Sequence, residues 1–179
     1  MNISILLPYK ENYSKDTAGA VSLFVKDTSN VSIFKKTIKI FGSTNDKKIL
    51  SNNYINLDLK KKFLQSSNKE YVKNFLNVSN LKETDILEIH NRPNYIKQIR
   101  EKYKKKIFLY FHNDPLTMNG SRTEKDRNYL IKNVDKIIFN SKWSKDRFFL
   151  NSKFKESMIN KAEICYQSTS KVKINFTDK

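Results

Sequence analysis

Short apolar runs alternate along this chain with segments whose apolar residues return at helical spacing. ISILL (Ile3–Leu7), KTIKIFG (Lys36–Gly42), YINLD (Tyr54–Asp58), DILEI (Asp85–Ile89), IFLYF (Ile107–Phe111), KIIF (Lys136–Phe139) and a last run around Ala162–Tyr166 read as strands. Between them, Val21, Phe24 and Val25 mark a helix over Ala18–Val25. Tyr71, Val72, Phe75 and Leu76 mark a second between Lys69 and Asn77, and Tyr95, Ile96, Ile99 and Tyr103 a third from Asn94 to Tyr103. SRTE at Ser121–Glu124 has the form of a capping box and opens a helix carrying Leu130, Ile131 and Val134. Trp143, Phe148 and Leu150 mark another helix, and a short one lies near Met158. Strands separated by helices predict an α/β fold: a parallel sheet of about six to seven strands with helices on both faces.

Two of these strands end alike. ILEIHNRP (Ile86–Pro93) and FLYFHNDP (Phe108–Pro115) each run from apolar residues into His-Asn-x-Pro, 22 positions apart, and hold the only two histidines in the chain. In open α/β sheets ligands bind beyond the carboxyl ends of the strands, where helix N-termini offer free backbone N–H groups. Pro8, Gly42, His90-Asn91-Arg92, His112-Asn113-Asp114 and Asn140-Ser141 all fall at such ends. Taken singly, each is equally at home turning the chain or capping a helix. Together, the paired histidines point to a crevice, with Asp114 its nearest carboxylate.

Composition narrows the chemistry. The 179 residues suffice for one domain with a proper core. The single Cys165 allows no disulfide framework and fits a reducing compartment. The apolar start is stopped by Pro8 and lacks a basic leader, so a cytoplasmic protein is expected. Of the 35 basic residues 30 are Lys, and Asn is also abundant at 21. The net charge of +17 therefore reads either as compositional bias or as attraction to nucleic acid, an anionic membrane face or a phosphorylated substrate. No G-x-G-x-x-G, P-loop, G-x-S-x-G or D-x-D pattern occurs, and two His with one Cys offer no zinc spacing.

The order of a first strand, a Gly-bearing loop (TAGA, Thr17–Ala20), DILEIHNRP, IFLYFHNDP and KIIFNSKWSKDRF resembles the N-terminal half of family-four glycosyltransferases, most of all over Asp85–Phe149. These are retaining enzymes of the GT-B arrangement, with two facing Rossmann-like domains. The similarity looks closest to members that build lipopolysaccharide or other cell-surface glycans. It implies a Rossmann-like domain over residues 1–165, the start of an interdomain linker over 166–179, and a donor-binding C-terminal domain outside these residues. The E-x7-E pair of that second domain is absent here.

The resemblance further implies binding of a glycan or lipid-linked acceptor and of a nucleotide-sugar donor, with no metal and no cofactor. It implies catalytic work near His112 and acceptor or donor contacts at Gly19, His90, Asn91, Arg92 and Ser141; the position of Asp114 and Asn113 beside His112 at the same strand mouth adds Asp114 as a catalytic and Asn113 as a binding candidate. Ser141 is equally placed to cap a helix. A cytoplasmic enzyme at the inner face of a membrane is expected, acting only together with its donor half. Two other readings stand beside it: a basic α/β nucleic-acid-binding protein and a non-catalytic glycan-binding module. Nucleic acid is disfavoured by the absence of a recognition motif and by only five Arg.

Overall fold

The computed structural model describes residues 1–57, 67–154 and 156–167. Seven parallel strands form one sheet: β1 (Ile3–Leu6), β2 (Ile38–Gly42), β3 (Tyr54–Asn56), β4 (Ile86–His90), β5 (Lys106–Phe111), β6 (Lys136–Phe139) and β7 (Ala162–Ile164). Their order across the sheet is β3-β2-β1-β4-β5-β6-β7. The chain winds outward in one direction from β1 to β3, returns to β4, and then winds outward the other way. The reversal between β1 and β4 is a topological switch point, which opens a crevice at the carboxyl ends.

Among the described residues, six α-helices connect the strands: α1 (Ala20–Val31), α2 (Ser67–Val78), α3 (Ile96–Lys102), α4 (Glu124–Asn133), α5 (Lys142–Phe149) and α6 (Glu156–Ile159). Period-two alternation divides each strand between two cores. Leu87, Ile89, Ile107, Leu109, Phe111, Ile137 and Phe139 point to one face, under Tyr71 and Phe75 of α2, Ile96 and Ile99 of α3, Leu130 and Ile131 of α4, and Phe148 of α5. Ile3, Ile5, Ile38, Ile40 and Ile86 point to the other, under Val21 and Val25 of α1. Both faces carry helix, as expected, but α1 serves its face alone among the described helices. That asymmetry follows from right-handed crossovers, which place every connection after the return to β4 on the same side.

Local differences from the expected elements have local causes. Helix α1 starts two residues later and ends at Val31, because Thr28 bonds back to Phe24 and Val25 carbonyls and the chain meets no breaker before Ser32. The capping box of α4 is real but shifted: Thr123 caps the Asp126 N–H and Asp126 bonds the Thr123 N–H in return. Ser121 is instead buried, its hydroxyl donating to the Pro115 carbonyl. Trp143 is exposed, with the Arg147 guanidinium 5.7 Å from its ring centroid, while Phe148 turns inward against Phe111 and Phe139. Asp58 of the expected third strand, Lys60–Lys62 and 168–179 of the expected linker lie outside the described residues.

The loop after β5 is pinned onto the start of α3. Gly120 adopts φ +94°, and a Cβ there would lie 2.6 Å from the Asn94 backbone nitrogen. Replacing it with alanine combines left-handed strain with a clash against backbone that cannot move freely. Gly120→Ala is expected to lose roughly 2–4 kcal/mol of unfolding free energy. Thr123→Ala, which removes only a cap, is expected to lose about 1 kcal/mol. Urea denaturation of the two variants ranks them.

Candidate functional site at the strand mouths

In the register of the central strands, Glu88 lies beside Phe108 and His90 beside Tyr110. Glu88 and His90 therefore share a sheet face with Phe108, Tyr110 and, one step beyond the strand, His112. It is the α1 face. Tyr110 stacks on His90 with ring centroids 4.5 Å apart, and Phe24, one turn into α1, lies edge-on against His112 at 5.0 Å.

His112 is held at both ends of its own peptide. Its N–H donates to Asn91 Oδ1 at 2.8 Å, and its carbonyl accepts from Asn140 Nδ2 at 2.8 Å. Asn91 is buried at φ 51°, a left-handed conformation that asparagine tolerates better than most residues, and its own N–H donates to the Tyr110 carbonyl. Asn140 N–H donates in turn to the Phe111 carbonyl. Residues at the ends of β4 and β6 thus grip the end of β5 between them.

The ring of His112 closes a polar chain. Its Nε2 lies 2.9 Å from His90 Nδ1, and its Nδ1 lies 2.7 Å from the Gln167 carboxamide nitrogen. His90 is 1% exposed and its Nε2 has no hydrogen-bond partner; the Glu88 Oε2 atom lies 3.7 Å away, outside hydrogen-bond reach. Burial pushes His90 down to about 3, and burial with the neighbouring His90 does the same to His112. Both imidazoles are therefore neutral near pH 7. Glu88, wedged between Ile5 of β1 and Phe108 of β5, is pushed up to about 7 by burial.

The remaining expected residues fall around this chain. Arg92 is half-buried and donates to the Asn91 carbonyl at 2.8 Å. Asn113 is exposed, its carbonyl accepting from Ser144. Asp114 accepts the Leu116 N–H and a forked pair of bonds from Arg147, at 3.2 and 2.9 Å to one oxygen. That pairing lowers its pKa and leaves the carboxylate engaged in joining the β5 loop to α5. Ser141 is the N-cap of α5, accepting the Ser144 N–H.

Gly19 is the N-cap residue of α1, one turn before Phe24. A Cβ there would collide with the Glu11 carboxylate, which accepts the Ser22 N–H at the first turn of the helix. The side chain of Glu11 thus sits where an anion would meet α1.

The structure gathers His90, Asn91, Arg92, His112, Asn113, Asp114 and Ser141 at adjoining strand mouths. Asn140, also placed at a strand end by the sequence, joins them, and the structure adds Glu88, Tyr110, Phe24 and Gln167, which were not singled out as ligand-facing groups. Glu88 had a readable signal: it stands two positions before His90 in a strand, hence on the same face. Among the described residues, no group of three or more His, Cys, Asp or Glu is placed to hold a metal ion. Among them, too, no helix is long and apolar enough to cross a membrane.

No family model and no curated protein matches the sequence. Three solved structures show the fold. HepE from Anabaena, solved with UDP-glucose, matches 92% of this chain at 10% identity and TM-score 0.57. Sucrose-phosphate synthase from Thermosynechococcus elongatus matches 93% at 12% identity and TM-score 0.59. A residue-27–220 and 406–426 form of the latter matches 92% at 10% identity and TM-score 0.50. The chain spans 43% of the HepE chain and 47% of the full synthase chain. At these identities the likeness is one of fold: the Rossmann-like sheet of the GT-B glycosyltransferases.

The buried polar chain sets the acid sensitivity. Unfolded histidine takes up a proton below about 6.5 while His90 and His112 stay neutral down to about 3, so their contribution is lost as pH falls. Glu88 acts oppositely: folded, it keeps a proton between 4.5 and about 7, a contribution lost as pH rises through about 7. Between about pH 4.5 and 6.5 the three groups together should give a slope of ~1.4 kcal/mol per pH unit. Glu88→Gln removes the opposing proton and should raise that slope to ~2.7 kcal/mol per unit in urea denaturation. Equal slopes would show that Glu88 does not titrate in this window.

Proposed function

We propose that this chain is the acceptor-side half of a retaining glycosyltransferase. It would receive a glycan or lipid-linked acceptor at the strand mouths while a donor-binding half presents a nucleotide sugar. The observation that carries the reading is the neutral His112 ring, locked at the mouth of β5 in a sheet that shares its fold with a UDP-glucose-bound protein over 92% of this chain. A neutral imidazole beside Arg92, Asn113 and Ser141 suits hydroxyl recognition better than phosphate clamping. The N-termini of α1 and α5 open towards the same end of the sheet and favour the negative charge of a leaving diphosphate, once Glu11 gives way. As in the family it resembles, the scheme calls for positioning and charge stabilisation rather than a metal.

The lysines support a division of surfaces. Lys35 and Lys36 immediately precede β2, Lys82 precedes β4, and Lys104–Lys106 lead into β5, all at the amino ends of the strands. This basic edge lies opposite the mouths and suits peripheral docking on an anionic membrane face, while Lys10, Arg92 and Lys142 stand at the mouth side.

In a 1H–15N NMR titration with methyl hexosides as acceptor probes, shifts are expected at residues 90–92, 112–114 and 140–141. They should survive a rise in KCl from about 50 to about 500 mM. His112→Ala is expected to weaken that binding roughly 5- to 10-fold. Shifts confined to the lysine edge, produced by an oligonucleotide and abolished by salt, would replace this reading with nucleic-acid binding.

A further inference from the structure

The mouth histidine is connected to the interior by more than packing. Gln167 presents its amide nitrogen, which can only donate, to His112 Nδ1 at 2.7 Å. His112 Nδ1 is then the acceptor, and its proton resides on Nε2, which donates to His90 Nδ1 at 2.9 Å. His90 in turn must carry its proton on Nε2. That N–H is buried and without a hydrogen-bond partner, and it faces the Glu88 carboxylate at 3.7 Å. One donor orientation at the surface thus dictates the tautomer of both rings and the charge expected at Glu88. The opposite arrangement is equally self-consistent. With Glu88 protonated, its O–H faces His90 Nε2 and would donate to it once the 3.7 Å separation closes, while His90 Nδ1–H donates to His112 Nε2 and His112 Nδ1–H points outward.

We propose that Glu88, His90 and His112 form a proton relay that moves a proton between a ligand hydroxyl at the mouth of β5 and the Glu88 carboxylate inside the sheet. Gln167 is exposed and stands in for that ligand, so a hydroxyl displacing it would meet His112 Nδ1 directly. The identity of the hydroxyl, that of a sugar acceptor, rests on the glycosyl-transfer reading; the relay itself does not. As the acceptor oxygen bonds to the sugar carbon and the carbon–diphosphate bond breaks, the acceptor O–H proton passes to His112 Nδ1. The His112 Nε2 proton passes to His90 Nδ1, and the His90 Nε2 proton to Glu88 as the two side chains close from 3.7 Å to hydrogen-bond distance. Both imidazoles end neutral with exchanged tautomers, Glu88 ends protonated, and the diphosphate departs with the bonding electrons.

Surroundings fit this role. Two imidazoles that resist protonation pass a proton without storing it, since neither holds a stable cation. Glu88 is the reservoir, and 17% of its side-chain surface stays exposed on the α1 face of the sheet, so its proton can leave to water and reset the relay. The groups facing it are Ile5 from β1, Phe108 and Tyr110 from β5, and His90 on its own strand. Glu163 and Cys165, in and beyond β7, act on Tyr110 across the same face, and α1 contributes the uncharged Phe24. Among the described residues no Lys or Arg pairs with Glu88, so its carboxyl can exchange a proton near neutrality.

Long-range 1H–15N NMR of the 179-residue protein reads the tautomer of each histidine without any sugar present. Above pH 8, both rings are expected as the Nε2–H form. As pH falls through about 7, where Glu88 takes up its proton, both are expected to convert together to the Nδ1–H form, with no imidazolium signal. In Glu88→Gln the two tautomers should no longer respond to pH. His90→Phe should leave His112 equally unresponsive. Independent behaviour of the two rings, an unchanging tautomer in the wild-type protein, or a switch that persists in Glu88→Gln would overturn the relay. The wild-type titration alone decides the matter if either variant fails to fold. A failed relay leaves methyl hexoside binding intact, and failed hexoside binding leaves the tautomer switch intact, so the two readings fall separately.

Discussion

The parallel pairing of β4 with β5 is the constraint on which the site depends. Setting His90 against Tyr110 and Glu88 against Phe108 puts a carboxyl and two imidazoles on one face of adjacent strands, within one or two residue steps of each other. A shift of one residue would send these groups into the core beneath α2–α5, where Leu87, Ile89, Leu109 and Phe111 now sit. The apolar alternation on the second face therefore holds the register, and the register holds the polar chain. Asn91 and Asn140 complete the arrangement by gripping the peptide of His112, so that its ring cannot swing as a free loop side chain would.

Burying such groups is costly unless they pair, and the structure shows how the cost is met. The histidines stay neutral, the carboxyl shifts towards protonation, and each ring is bonded on at least one nitrogen. Within this polar chain, the buried His90 Nε2 is left without a hydrogen-bond partner, with the Glu88 carboxylate 3.7 Å away. Elsewhere, buried or half-buried charges are tied down by conventional means. Arg127 donates to the Ser121, Arg122 and Leu150 carbonyls and to the Ser152 hydroxyl, and Arg147 clamps Asp114. These anchors fasten the loops behind the mouths, whereas the chain through His112 is left with an end open to solvent at Gln167. The contrast separates groups that hold the fold from groups free to meet a ligand.

Much of the architecture was legible before any coordinates. Short apolar runs announced all seven strands, and helical spacing announced the helices, because both faces of a parallel sheet must be buried and leave an apolar imprint. The His-Asn-x-Pro echo pointed to the mouths of β4 and β5, which are indeed neighbours. Boundaries were less legible: whether Ser121 or Thr123 caps α4 depends on a loop whose path is set by Gly120 against Asn94. Trp143 could not be assigned outward from its apolarity, since a short helix has room for only one buried ridge, and Phe148 fills it.

Sequence alone determined the alternation of elements, the sheet class and the strand ends that carry polar chemistry, since those follow from local periodicity and turn preference. Tertiary structure decided which of those polar residues act together. Asp114 looked like the natural carboxylate partner of the histidines, but Arg147, 33 positions away, takes up its oxygens. Glu88, two positions before His90 on the same strand, lies with its carboxylate 3.7 Å from the His90 ring within the sheet. Such assignments depend on distances between strands that are remote in sequence, and only the register and winding of the folded sheet set those distances.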